Sequence, residues 1–416
     1  MLPLLTGALW PASAYRRDQL PERVLQFGSG MLLRALCAAA VDSANRTGAA
    51  AGRMVVVPST PEGAHRAHAL NAQNGLFTLV ERGLSGGALL ERTTLIGAIS
   101  RALAADVAAN PEIQVIISNV SEAGFRIDAP FPGRLTDALH ARFTRAPDAP
   151  PVFVIPTELV PDNGPRLAAM VHELARKYDQ SFRDWLKARV RFCSSLVDRI
   201  VTAPPPDQHA ALEAQLGYRD ALLTVTEPYS LWAIEADPAE LRAVFPIESA
   251  SVVFAPDITF YRERKLRLLN AVHTATAPLA LLTGVRTVRE ATVHPMLAAF
   301  LKQLFKEIIP ATNIPTDDAR AFADQVLERF ANPWLEHEYR VIATNQEEKF
   351  RIRVVPLIVR RQASSLALAA AAHLTFTRAP FEALGEAAQI PEFVAATTRC
   401  MTVLAQDGVE AALRCT

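Results

Sequence analysis

The sequence predicts an α/β protein in two parts: an N-terminal domain on a parallel sheet over residues 1–250, and a mainly α-helical C-terminal domain over 251–416. Two observations predict this. In the first part, short and almost wholly apolar β-branched runs alternate with amphipathic stretches of helical length. That is the pattern of right-handed βαβ units whose sheet is covered on both faces. From Tyr261 onward helical periodicity takes over, with Ala- and Leu-rich stretches such as Leu366 to Leu374.

The elements follow in order. Arg23 to Phe27 reads as a buried strand, then a glycine turn, then a helix from Met31 to Asn45. Met54 to Val57 is a second strand, and a helical stretch from Arg101 to Asn110 leads into a third at Val115 to Ser118. Pro151 to Ile155 gives another strand, followed by a helix at Pro165 to Tyr178. The change of pattern falls at roughly 245–258, where Pro246, Pro256 and a short strand at Ser251 to Phe254 lie. Beyond it, Lys349 to Val359 alternates basic and apolar residues and reads as extended.

Composition narrows the partners. A chain of 416 residues, half of them hydrophobic, can bury two cores. Acidic and basic residues balance at 43 each, so no net field draws the chain to nucleic acid or an anionic membrane. A small-molecule ligand is the expectation. Cys37, Cys193, Cys400 and Cys415 are scattered without a C-x-x-C pair, which suggests neither a zinc site nor a disulfide framework, and fits a reducing, cytoplasmic setting. Met1 to Trp10 is apolar but lacks a basic flank and is interrupted by Pro3 and Gly7, so it reads as an arm rather than a leader. No apolar run approaches membrane-spanning length.

Phe27-Gly28-Ser29-Gly30-Met31 places two glycines where the first strand turns into a helix. A dinucleotide pyrophosphate must approach backbone N–H groups at such a helix start, and side chains there would obstruct it. The third glycine of the usual G-x-G-x-x-G is missing, since Leu33 holds its place. The second strand ends Val57-Pro58-Ser59-Thr60 without the usual acid; Ser59 could bond the ribose, and the choice between NAD and NADP stays open. The third strand ends Ser118-Asn119-Val120-Ser121-Glu122, a polar cluster where such sheets bind ligands. Asn119 and Glu122 are candidate cofactor contacts; a Ser121 cap on the next helix is the competing reading.

The stretch Tyr261 to His273 carries the densest chemistry. On an α-helix, Lys265, Asn270 and His273 fall within an arc of roughly 140°, spanning about 12 Å of rise. A lysine can shuttle the hydroxyl proton of an alcohol–ketone interconversion, and Asn270 and His273 can donate to the developing alkoxide. A solvated basic helix is the competing reading. Tyr261-x-x-x-Lys265 also matches the short-chain dehydrogenase pair, but that pair belongs inside the nucleotide domain, and here it follows it.

Together, Phe27-Gly-Ser-Gly-x-x-x-Arg34, Lys265-x4-Asn270-x2-His273 and ordered matches such as Leu196-Val-Asp-Arg-Ile200, Glu227-Pro-Tyr and Arg329-Phe-Ala-Asn-Pro333 resemble the polyol-specific long-chain dehydrogenases, the mannitol dehydrogenase family. The resemblance implies an N-terminal Rossmann domain, a helical C-terminal domain and a site between them. It also implies NAD as cofactor, no metal, Lys265 as general acid/base, and Asn270 with His273 on the reacting oxygen. Where mannitol and fructuronate enzymes carry Cys-Asp-Asn-Leu-Pro-x-Asn-Gly, this chain reads Thr157-Glu158-Leu159-Val160-Pro161-Asp162-Asn163-Gly164. That departure resembles the tagaturonate reductase branch and implies a keto-hexuronate substrate, tagaturonate reduced to altronate. Asn163, His337, Arg340 and Lys349 are the implied substrate contacts, with Arg353 a further candidate for the sugar carboxylate.

Overall fold

A computed structural model of the chain describes residues 2–102 and 109–414. Two compact units emerge: Met1–Arg82 with Glu91–Ile258, and Gly83–Leu90 with Thr259–Thr416.

The strands, in chain order, are β1 (Glu22–Phe27), β2 (Arg53–Val57), β3 (Phe77–Ser85), β4 (Ala88–Ile96), β5 (Ile99–Ala102), β6 (Val115–Ser118), β7 (Val152–Pro156), β8 (Val190–Phe192), β9 (Ser195–Asp198), β10 (Val201–Thr202), β11 (Thr224–Thr226), β12 (Leu231–Glu235) and β13 (Val252–Ala255). The principal sheet has the order β5-β2-β1-β6-β7-β8, with every neighbouring pair parallel. Strand order reverses between β1 and β6, the position where sheets of this kind bind nucleotides beyond their carboxyl ends.

Alternation of side chains explains why these runs are strands. Val24, Met54, Val56, Val115 and Ile117 enter one core, while Leu25, Val55, Val57, Ile116 and Val154 enter the other. Successive residues point to opposite faces. With both faces covered, the runs are almost wholly apolar; the buried Gln26 in β1 donates Nε2 to Gly28 O (2.9 Å).

Two smaller sheets, β10-β11-β3-β4 and β13-β12-β9, complete the strands. The hairpin of β3 and β4 escapes a search for apolar runs because β4 is mostly solvent-facing. It turns at Gly86-Gly87, both at positive φ, and Gly87 donates its N–H to Glu328 (2.5 Å) within the second unit. The helix expected from Arg101 is corrected at its start: Arg101 and Ala102 finish β5, with Arg101 paired to Val55. The rest of that stretch, 103–108, lies outside the described residues.

The second unit packs around a helix running from 259 to 282, in which every residue from Ala271 to Ala280 is buried. A second buried helix, Ser364–Thr377, lies against it. Pro278 lacks the N–H that would bond Thr274, and Gln346 Nε2 supplies a donor to that carbonyl instead (2.9 Å). The segment expected to be extended forms two helices, Gln346–Arg353 and Val355–Arg360. Phe350, Val354, Leu357 and Ile358 are its buried stripe, at helical spacing. The Arg-Ile-Arg-Val alternation at 351–354 imitates a strand.

His373 lies in this core, fully buried and stacked on Phe350 at 4.2 Å between ring centroids. Neither ring nitrogen has a hydrogen-bond partner among the described residues, and burial pulls its pKa down to about 4. The folded chain therefore holds this ring neutral where an unfolded chain would protonate it. Its contribution is intact above about pH 6.5 and is lost as pH falls towards 4. His373→Leu removes both the orphaned nitrogens and this proton linkage. The variant is expected to gain roughly 1–3 kcal/mol over the parent at pH 5 and less at pH 8, read from urea midpoints. An unchanged acid slope would assign the linkage to other groups.

Candidate active site

In the first unit, the turn after β1 is held to the strands beside it. Gly28 N–H donates to Val57 O (2.9 Å), and Asn119 N–H donates to Phe27 O (3.1 Å). Gly28 sits at φ 109°, and a Cβ there would lie 2.7 Å from the Asn119 carbonyl oxygen. Only glycine fits. At Gly30 a Cβ would meet nothing within 4 Å, so the space before it is open. Leu33, in place of the third glycine, is fully buried, and the helix runs in π geometry from Leu33 to Ala38.

The predicted cofactor residues divide in kind. Ser29 is buried, its hydroxyl donates to Gly63 O (3.1 Å), and its carbonyl accepts from Arg34 Nη1 (2.8 Å). Its backbone N–H is what it could offer a ligand. Arg34 is a positioning residue whose role the motif did not disclose. Besides Ser29 it reaches Thr224 Oγ1 (3.2 Å), and burial lowers its pKa to about 10. Asn119 Nδ2 donates to Thr157 O and Oγ1 (3.1 and 3.0 Å), which ties the ends of β6 and β7 together. Glu122 is exposed and begins a short 3-10 turn that Ser121 caps through Gly124 N–H (3.2 Å). The capping reading of Ser121 is thus realised.

Glu158 was absent from the predicted site. Buried at the end of β7, it accepts from Val120 N–H (2.9 Å) and Ser118 Oγ (3.1 Å). Burial raises its pKa, against the pull of those hydrogen bonds. Its neighbour Leu159 is 65% exposed. Asn163, expected to touch substrate, is instead a structural tie. Its amide donates to Pro156 O, Glu158 O and Ser195 O, and its oxygen accepts from Ser195 N–H, all at 3.0–3.1 Å. No donor capacity remains for a ligand.

In the second unit, Lys265 and Asn270 bound a π-helical segment, and His273 follows on the α-helix Ala271–Leu282. This alters the predicted arc. A π turn bonds residues five apart rather than four, so Asn270 swings closer to the Lys265 face than an α-helix would bring it. The segment is held from outside. Arg267 Nη1 donates to the carbonyls of Ile352 and Arg353 (2.9 and 3.1 Å), at a helix C-terminus where a cation is favoured. Arg353 returns the contact through Thr274 Oγ1 (3.2 Å), which itself donates to Asn270 O (2.9 Å).

His273 is buried, stacked on Phe330 (4.3 Å) and edge-on to His337 (4.9 Å). Burial, then the charges of His337, Arg329 and Arg353, hold its pKa well below the usual value, so the ring is neutral. Its Nδ1 is buried without a partner among the described residues. An orphaned acceptor costs less than an orphaned donor, which favours the proton on Nε2 and makes that nitrogen a donor. His337 is lowered too, by burial and then by Arg329. Lys349 is half-buried with Nζ on Ile342 O (3.0 Å), and Arg340 is exposed. Of the substrate candidates, the structure brings His337 edge-on to the His273 ring and Arg353 to the neighbouring Thr274. Phe330 and Arg329 had no sequence signal beyond the Arg329-Phe-Ala-Asn-Pro333 match.

Comparison with known proteins decides the family. The mannitol dehydrogenase Rossmann domain model matches residues 22–243, and the mannitol dehydrogenase C-terminal domain model matches 257–416. The chain belongs to the mannitol dehydrogenase family. Membership places it among dehydrogenases of polyols and sugar acids, oxidoreductases acting on a CH–OH group. Altronate oxidoreductase of Halalkalibacterium halodurans is 37% identical over 366 residues, covering 82% of this chain and 71% of that one. The enzyme of the same name from Klebsiella pneumoniae is 37% identical over 400 residues, covering 87% and 82%. Pseudomonas fluorescens mannitol 2-dehydrogenase, solved with NAD and D-mannitol, superposes with a TM-score of 0.73 at 25% identity over 97% of this chain and 95% of that one. A substrate-free D-sorbitol dehydrogenase reaches 0.87 at 21% identity over 99% and 100%, a likeness of fold. No helix among the described residues is long and apolar enough to cross a membrane.

Proposed function

We propose that this mannitol dehydrogenase family member is an NAD-dependent oxidoreductase that interconverts tagaturonate and altronate. The observation that carries the reading is the neutral, buried His273 ring on the helix that also bears Lys265 and Asn270. The likeness to altronate oxidoreductases supports the sugar acid over a neutral polyol. NADH, when bound, supplies the hydride; the open space at Gly30 and the glycine required at Gly28 suit its pyrophosphate.

In this reading Lys265 gives the proton that converts the developing alkoxide to the hydroxyl, without a metal. Asn270 and the Nε2–H of His273 donate to the same oxygen and stabilise its charge. Asn270 is steadied by Thr274 Oγ1, which donates to its carbonyl and accepts from Arg353 Nη1. A cation of the second unit, Lys349 or Arg353, takes the sugar carboxylate, and Arg340 stands at the exposed edge.

The test is NADH oxidation with tagaturonate, fructuronate and fructose. Tagaturonate is expected to give the highest kcat/KM. Turnover of fructuronate or fructose instead would move the chain to another branch of the family, and no turnover on any would end the enzyme reading. Lys349→Ala is expected to raise KM for the uronates about tenfold, as loss of a charged contact does, and to spare fructose. An equal change on all three would free Lys349 of that role.

A further inference from the structure

The two nicotinamide dinucleotides differ by one phosphate on the adenosine ribose, which lies beyond the second strand of a sheet with this order. A carboxylate there takes the free ribose hydroxyls and repels the phosphate, whereas an arginine welcomes it. β2 continues as Pro58-Ser59-Thr60 and supplies no carboxylate.

Two guanidinium groups reach this place from separate helices. Arg66, in the helix Pro61–Ala72, donates Nε to Ser29 Oγ (3.3 Å). Arg134, in the helix Pro130–Arg145, donates Nη1 to Pro58 O (2.8 Å). The parts touch one another. A Cβ on Gly63 would lie 3.1 Å from Ser29 Oγ, 3.2 Å from Thr60 Oγ1 and 3.3 Å from Pro58 Cβ. The glycine turn, the end of β2 and the helix bearing Arg66 therefore meet at one point. Ser59 Oγ is buried there with no partner among the described residues. Glu62, the acid at the start of that helix, is bound to Arg66 Nη1 (2.5 Å), and its side chain is 82% exposed. Each guanidinium has five N–H donors and spends only one or two in these contacts.

We infer that this chain also accepts NADP(H), its 2′-phosphate held by Arg66 and Arg134 beside the end of β2. The inference rests on the dinucleotide site proposed above. A structural role for the two arginines, tying strand end to helix, is the simpler alternative, and differential binding separates the two.

The experiment is titration of the purified chain with NADH and NADPH, followed by nucleotide fluorescence, with 2′,5′-ADP and 5′-AMP as fragments. NADPH is expected to bind within about tenfold of NADH, and 2′,5′-ADP more tightly than 5′-AMP. Arg66→Ala and Ser59→Asp should each weaken NADPH at least about tenfold more than they weaken NADH, and added salt should weaken NADPH more. Ser59→Asp leaves the arginine contacts in place, so the comparison survives if Arg66→Ala unfolds. Tight NADH with NADPH more than about 100-fold weaker would overturn this inference alone. So would equal losses for both nucleotides in the two variants. Binding of neither dinucleotide would overturn it together with the proposed function.

Discussion

Lys265→Ala is expected to lower kcat for keto-acid reduction by about 10²–10⁴-fold, the range that loss of a positioned proton donor produces. The side chain is half-buried at the first residue of the π segment, so its removal leaves the buried helix beyond it intact. KM and NADH affinity should change far less than kcat, because the loss falls on the transition state. Lys265→Arg should not rescue turnover, since a guanidinium has the charge but cannot release its proton. The decisive comparison is the pH–rate profile of the residual activity. Loss of one limb assigns proton transfer to this residue, and a variant as active as the parent would dismiss it. In the proposed mechanism Lys265, Asn270 and His273 act on one oxygen, so a double variant should lose less than the product of the single losses.

Gly28→Ala and Gly30→Ala should separate folding from binding. Alanine at Gly28 is strained at φ 109°, and its Cβ would press on the backbone oxygen of Asn119. The expected cost is about 1–3 kcal/mol or more, visible as a lower melting temperature with or without nucleotide. At Gly30 the methyl group meets no protein atom. Stability there should stay within about 0.5 kcal/mol, while NADH affinity drops by more than about tenfold because the methyl occupies the pyrophosphate's approach. Thermal melts and NADH titrations measure both. A Gly30→Ala chain that binds NADH like the parent would remove this turn as the pyrophosphate seat.

The fold was legible wherever a single physical cause dominated the residues. β1, β2, β6 and β7 are buried on both faces, so their sequences are mostly apolar and stand out. The β3–β4 hairpin carried a signal in Gly86-Gly87 between its two arms, but a half-exposed strand blends with polar loop sequence. The helices after Asn345 show a weakness of pattern reading. Four residues of accidental alternation outweighed the wider spacing of Phe350, Val354, Leu357 and Ile358. Within the candidate site, motif spacing singled out Lys265, Asn270 and His273 as candidates but took their helix as α. The π segment shows only in the backbone, and it shifts Asn270 round the axis. Asn163 lay in a family segment, yet its amide is spent on three carbonyls and one N–H. The contacts of Arg34 with Thr224, Glu158 with Ser118 and Val120, and Arg353 with Thr274 join residues distant in sequence, and no local pattern marks them.

The hairpin tip at Gly83–Leu90 has a bearing on how the chain is made. It groups with the second unit, and its Gly87 N–H finds its acceptor 241 residues later, at Glu328. At ribosomal speeds of about 5–20 residues per second, that acceptor emerges on the order of tens of seconds after the tip. Until then the tip waits without its partner, although β3 can already pair with β11 of its own sheet. The second unit is thus woven from two separate stretches of the polypeptide, and the tip's contact is timed by the emergence of the helix Thr316–Phe330 that bears Glu328.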